Sequence, residues 1–448
     1  MDTPIVDFVR AYQASDTVRF HMPGHKGQTH TGPEPWDITE ISGADSLYEA
    51  EGIIARSEEN ATALFGTQRT LYSTEGSSQC IRAMLHLAIA CRAPGQARCI
   101  LAARNVHKAF VYAAALLDIQ VRWLWPEESH SVCSCPVSVK ALRDALCAMD
   151  APPAAVYITS PDYLGHMADV RALSEVCHQH GTLLIVDNAH GAYLHFLSPS
   201  QHPMALGADM CCDSAHKTLP VLTGGAYLHI AQGLHAAYAQ RAKAALALFG
   251  STSPSYLILA SLDRCNADLA EGYPDRLAAC IARTAQTKAQ LHARGWQIKA
   301  SDPLRITLRA FPGMTAQALA MHLRQRGIEC EYADRDHLVL MVTPDNPPQD
   351  FERLLAALSC LSPCPAQETA LPLPRARQAV SIREAVMAPT QTLPVQSAAG
   401  RICAAPLVAC PPAIPIVVSG EEITPNAIAL LEYYGIGQIE ACDIALQA

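Results

Sequence analysis

The chain has no uninterrupted apolar run near the ~18 residues that a spanning helix needs, so nothing in it reads as a membrane segment. Its N-terminus, MDTPIVDFVRAYQASD, lacks the bases and following apolar stretch of a secretory leader. Basic charge is not in excess either: 33 Lys and Arg against 42 Asp and Glu leave a net charge of −9, which argues against a nucleic-acid binder. The 17 cysteines are odd in number and include no C-x-x-C pair, which excludes the disulfide framework of a small secreted domain. Cys133/Cys135 and Cys211/Cys212 have no second ligand pair at zinc-like spacing, so buried, reduced thiols and no metal are expected. Internal repeats and low-complexity tracts are missing as well. A soluble, unexported chain in the cytoplasm is the expectation.

What is present suits a large core: 50% of the residues are hydrophobic and 17% are charged, and 448 residues make two or three domains. Apolar runs of strand length alternate with helical spacing, the pattern of an α/β fold with a mainly parallel sheet. Strands are expected at Thr70–Ser73, Cys99–Ala102, Ala155–Thr159, Leu183–Val186, Met210–Cys212 and Tyr227–Ile230. Helices are expected at Ser78–Ala90, Val106–Leu117, Ser138–Met149 and Val170–His180. Past residue 300 the strands Arg305–Ala310 and Leu338–Val342 flank a helix, Thr315–Arg326, as in a smaller α+β domain, and a further helix is expected at Val380–Met387. The resulting division is an N-terminal arm (1–30), a large domain (31–300) and a small C-terminal domain (301–448), with a proline-rich connection near 361–377.

In such sheets ligands bind beyond the carboxyl ends of the strands, so the polar residues that follow strands carry the information. Thr74-Glu75-Gly76-Ser77-Ser78 follows a strand and opens a helix, where free N–H groups can hold a phosphate; an ordinary helix cap is the simpler local reading. Leu183–Val186 runs into Asp187, an acid able to face a protonated ring nitrogen or merely to cap the next helix. Asp213-Ser214-Ala215-His216-Lys217 follows another strand, and a partly desolvated lysine beside an imidazole becomes a usable amine nucleophile, whereas an isolated lysine is usually a solvated one. Phosphate cradle, acid and lysine, in that order, are the parts that hold pyridoxal 5′-phosphate.

The sequence resembles the ornithine/lysine/arginine decarboxylases of pyridoxal-phosphate fold type I. The likeness rests on Phe20-His21-Met22-Pro23-Gly24-His25-Lys26-Gly27, Asp37-Ile38-Thr39-Glu40, Arg104-Asn105-Val106-His107-Lys108, Val186-Asp187 with Ala189-His190-Gly191-Ala192, Ser214 to Pro220 and Thr252-Ser253-Pro254-Ser255-Tyr256. It returns late in Pro411-Pro412-Ala413-Ile414-Pro415 and Gly420-Glu421. The resemblance implies the compact form of the family, without an N-terminal wing domain. It further implies a lyase that decarboxylates arginine, lysine or ornithine, a step of polyamine biosynthesis.

By the same resemblance Lys217 forms the Schiff base, Asp187 pairs with the pyridine nitrogen, and His107 stacks on the ring. Gly76, Ser77, Ser78, Ala189 and Ser214 line the cofactor, and His216 sits on its phosphate side or assists proton transfer. His190 and Glu421 are substrate candidates, Glu421 as the partner of a distal cation. Thr252 and Ser253 reach the neighbouring subunit's site, which implies a homodimer with shared sites and leaves room for a higher oligomer. The only other partner expected is a small-molecule amino acid, with no nucleic acid and no membrane.

Three residues depart from the family pattern: Asn188 replaces the usual acid after Asp187, Tyr48 ends what is usually Asp-Leu-His, and Glu75 precedes the phosphate-binding glycine. They leave open a non-basic substrate, while another fold type I activity, an aminotransferase or aldolase, stays open because fold alone does not choose the reaction. A catalytically silent paralogue is the reading that an intact Lys217, Asp187 and His107 oppose.

Overall fold

The computed structural model describes the chain except residues 94, 300, 365–370, 372, 406–411 and 444–448. Residues 365–370 and 372 of the expected connection, and Pro411, therefore lie outside the described residues. Two compact units share the chain: Met1–Gln96 with Val170–Leu277, and Ala97–Asp169 with Ala278–Ala448. Both units take residues from the expected 31–300 domain.

The first seven strands are β1 (Arg69–Ser73), β2 (Cys99–Ala103), β3 (Gln120–Leu124), β4 (Ala155–Thr159), β5 (Leu183–Asp187), β6 (Met210–Asp213) and β7 (Ala226–Ile230), and their pairing is mainly parallel. In the first unit the order is β1-β7-β6-β5; β5 and β6 run parallel, and β7 is antiparallel to both its neighbours. In the second unit β2 lies between β4 and β3 and is parallel to each. β2, β6 and β7 are buried at every position. Continuous burial is why these strands read as unbroken apolar runs.

The second unit also holds two antiparallel sheets. β8 (Arg305–Arg309), β9 (Tyr332–Ala333) and β10 (His337–Met341) take the order β8-β10-β9, and β11 (Thr390–Pro394), β12 (Cys403–Ala405) and β13 (Gln438–Cys442) the order β11-β13-β12. The helices Gly76–Ala90, Lys108–Leu117, Val139–Cys147, Val170–Gln179, Ala316–Arg324 and Ile382–Met387 stand where helical spacing predicts them. β3, β9 and the β11–β13 sheet are additions to that expectation.

Side chains fix the helix ends of the first unit. Asp263 Oδ2 accepts from the backbone N–H groups of Ile5 and Val6, both at 2.9 Å, capping the helix Pro4–Ala14. Asp45 accepts from Gly52 and Ile54 ahead of the helix Ile53–Phe65, which Gly66 ends in a left-handed turn. Each such cap satisfies N–H groups that a helix terminus leaves without a partner. Inside the same unit the Lys243 ammonium reaches Glu58 Oε1 at 2.6 Å, and Glu58 also accepts from Tyr72 N. Among the described residues all cysteines are free, and Cys211, Cys212, Cys133 and Cys135 are buried thiols.

Candidate active site

β5 and β6 end side by side, with Asp187 in register with Cys212, so the residues that follow them emerge at one edge of the sheet. Asp187 is 3% exposed and accepts from Ala189 N at 3.2 Å. The Cys212 thiol lies 3.7 Å from the same oxygen; burial, with Asp187 beside it, holds that thiol well above its ordinary pKa and so keeps it a neutral donor. Lys217, on the short helix Ala215–Thr218 after β6, places Nζ 3.0 Å from His190 Nε2. The lysine donates there, which leaves the ring proton of a neutral His190 on Nδ1.

Opposite this pair the helix Gly76–Ala90 begins. Gly76 has φ +69°, and a Cβ built on it would lie 3.9 Å from the His216 ring, so a side chain at this position would be strained and directed toward that imidazole. Gly224 also has a positive φ, and a Cβ there would meet the Thr74 carbonyl at 2.8 Å. The close approach lets Gly76 N donate to Gly224 O at 2.7 Å. Ser214 Oγ donates to Ser77 Oγ at 2.8 Å. His216 Nδ1 bonds Gly225 O, and burial lowers its pKa, so the ring is neutral with its lone pair on Nε2.

This donor set fits pyridoxal 5′-phosphate. A helix N-terminus with Ser77, Ser78 and Ser214 can take a dianionic phosphate, a buried carboxylate suits a protonated ring nitrogen, and a strand-end lysine suits the aldehyde. Lys217, Asp187, His190, Ala189, His216, Gly76, Ser77, Ser78 and Ser214 all belong to the first unit. Thr252 and Ser253, in the same unit, are exposed.

His107 and Glu421 belong to the second unit. His107 caps the helix Lys108–Leu117, its Nδ1 accepting from Ala109 N at 3.1 Å, the helix-terminal role that competes with ring stacking. Glu421, expected to face a substrate cation, has another partner: it is 2% exposed, and its Oε2 accepts from Arg104 at 3.0 Å and from Val418 N at 2.7 Å. Burial pushes its carboxyl up and Arg104 opposes the rise. Arg104 also donates to the carbonyls of Pro415 and Ile416. Arg104→Ala would leave that carboxylate buried without its cation and lower stability by about 3–5 kcal/mol, read as an earlier denaturant midpoint at unchanged slope.

The departures from the family pattern have local partners. Glu75 Oε1 accepts from Ser251 N, and Tyr48 Oη accepts from Gln79 at 2.8 Å. A Cβ on Gly250 would overlap the Tyr48 hydroxyl, which ties those two positions together. Asn188 donates to Asp213, and the histidines that hold Asp213, His202 and His229, were not anticipated from sequence, since neither stands at a strand end of the site.

The family model for Orn/Lys/Arg decarboxylase, major domain, matches residues 3–312, and that for the C-terminal domain of the same enzymes matches residues 366–439. The chain belongs to the Orn/Lys/Arg decarboxylase family. It is 29% identical to an arginine decarboxylase of Halalkalibacterium halodurans, over 96% of this chain and 92% of that one. An arginine decarboxylase of Bacillus subtilis is 28% identical over 96% and 93%. Among solved structures the constitutive lysine decarboxylase of E. coli superposes with a TM-score of 0.79 at 16% identity, covering 98% of this chain and 81% of that one. The fold is therefore that of a fold type I pyridoxal-phosphate enzyme, shared also with a Sphingomonas wittichii serine palmitoyltransferase (TM-score 0.57, 13% identity, covering 80% of this chain and 83% of that one). As a member of the family the chain is a pyridoxal-phosphate-dependent decarboxylase of a basic amino acid. No helix among its described residues is long and apolar enough to cross a membrane.

Proposed function

We propose that this decarboxylase acts on arginine, with Lys217, Asp187, His190 and His216 as its working side chains. The observation that supports the chemistry is the Lys217–His190 bond at 3.0 Å on the turns that follow β6 and β5, beside a buried Asp187. Arginine is favoured over lysine and ornithine because relatives named arginine decarboxylase match 94% or more of the chain. CO2 release from purified protein across arginine, lysine, ornithine and neutral amino acids tests this, and faster release from any other amino acid than from arginine would overturn it.

When bound, the cofactor supplies an electron sink for the charge left as the bond from Cα to the carboxylate breaks. Ser77, Ser78, Ser214 and the first N–H groups of the helix Gly76–Ala90 would hold its phosphate. Asp187 would keep a proton on the ring nitrogen, and its burial would keep water from competing for that proton. Lys217 would hold the cofactor through Nζ and would move a proton at that atom, with His190 Nε2 as the adjacent acceptor. Glu421 is left out of the substrate contacts because Arg104 already balances its charge.

The exposed Thr252 and Ser253 support a homodimer in which each chain completes its partner's site. Mixing Lys217→Ala subunits with Thr252→Ala/Ser253→Ala subunits then restores about a quarter of wild-type activity, since half of the dimers are mixed and each has one intact site. No recovery after demonstrated subunit exchange would mean that each chain builds its own site. A cytoplasmic location is proposed from the buried thiols, which persist in a reducing compartment.

A further inference from the structure

Asn188 directly follows Asp187, and Asp213 directly precedes Ser214, so these two residues adjoin the turns that carry the site. Asn188 Nδ2 donates to Asp213 Oδ1 at 2.6 Å. His202 Nε2 and His229 Nε2 both donate to Asp213 Oδ2, at 3.0 and 3.1 Å. All four side chains are 0% exposed. Neighbours fix the ring protons: Met204 N donates to His202 Nδ1, and Thr70 Oγ1 bonds His229 Nδ1. His202 thus presents an N–H to the carboxylate. Cys211 lies beside His202, His229 and Asp213 and is buried with them.

The bonds around Asn188 run in two directions. Its backbone N donates to Cys212 O, tying it to β6, and its carbonyl accepts from Gly191 N, closing the turn that contains His190. Its Oδ1 is buried without a partner among the described residues, so the bond to Asp213 alone sets the orientation of the amide. A buried carboxylate surrounded by directional N–H donors has one low-energy arrangement.

We propose that Asp213 and Asn188 are positioning residues for the cofactor site: the buried carboxylate holds the Asn188 amide, and with it the turn that sets Asp187 toward the ring nitrogen and His190 against Lys217. An acid at 188 would bring two carboxylates together at this distance and force them to share a proton. Exchanging the two residues keeps the geometry, because an amide at 213 can turn its oxygen to the histidines and its nitrogen to a carboxylate at 188.

The inference rests on the proposed cofactor chemistry, and the two can fail separately. If that chemistry is wrong, the wild-type protein shows no visible band and no CO2 release; if only the positioning is wrong, the wild type is normal and the variants tell. The experiment measures visible absorbance, pyridoxal-phosphate dissociation constant, kcat, KM and thermal unfolding without cofactor for Asn188→Asp, Asp213→Asn and the double exchange. Each single variant is expected to shift the visible band, weaken cofactor binding by roughly 10-fold or more and lower kcat more than it raises KM. The double exchange is expected to recover all three to within roughly 3-fold of wild type. Single variants that unfold earlier but keep the wild-type band, cofactor affinity and kcat would overturn the proposal, as would a double exchange whose losses are the sum of the two.

Discussion

Lys217→Ala loses both the visible absorbance of the purified protein and its turnover, the latter by on the order of 10⁴-fold or more. The size of the effect follows from position. Lys217 stands on a four-residue helix directly after β6, and its Nζ is held by His190 at 3.0 Å. A different lysine could replace it only by reaching the same point at the end of the sheet. Lys243 has a strand-distant role instead, bound to Glu58 and the Leu47 carbonyl. An absorption spectrum and a CO2 assay of the variant decide the matter, and retention of the visible band would remove Lys217 from the cofactor site.

Asp187→Ala separates binding from chemistry. Ser77, Ser78 and Ser214, proposed to hold the phosphate, are untouched in the variant, so cofactor is still expected to bind. Turnover falls by on the order of 10²–10³-fold, because nothing then holds the proton that makes the ring an electron sink. The kinetic signature is a loss in kcat with KM little changed, since Asp187 acts on the ring and not on the substrate side chain. Near wild-type kcat would show that the carboxylate does not serve the ring nitrogen.

Both candidates stand out in the sequence for one physical reason. A buried parallel strand is an unbroken apolar run, and the first polar residue after it marks the mouth of the sheet, as Asp187 does after Leu183–Val186. β3 escaped because Gln120 and Arg122 interrupt its pattern and only Leu124 is buried. β11 escaped for a related reason: its Thr-Gln-Thr-Leu-Pro run is largely exposed, and it pairs with β13 only across a long stretch of chain. Non-local partners also hid the role of Glu421, whose cation, Arg104, is 317 residues away. Asp213 was read as the start of the lysine turn, while the donors that hold it come from residues 188, 202 and 229. No local pattern reports such a convergence.

The first unit is assembled from two stretches of chain, Met1–Gln96 and Val170–Leu277, and this governs how it can form during synthesis. β1 has no strand partner until β7, in register Arg69 with Ile230, has left the ribosome. The helix Pro4–Ala14 waits still longer for its cap, Asp263. At ~5–20 residues per second, the earliest apolar segments, including Ile5, Val9 and Leu71, stay uncovered for some ten seconds or more. A translational pause placed before residue 277 would lengthen that interval and with it the exposure to aggregation.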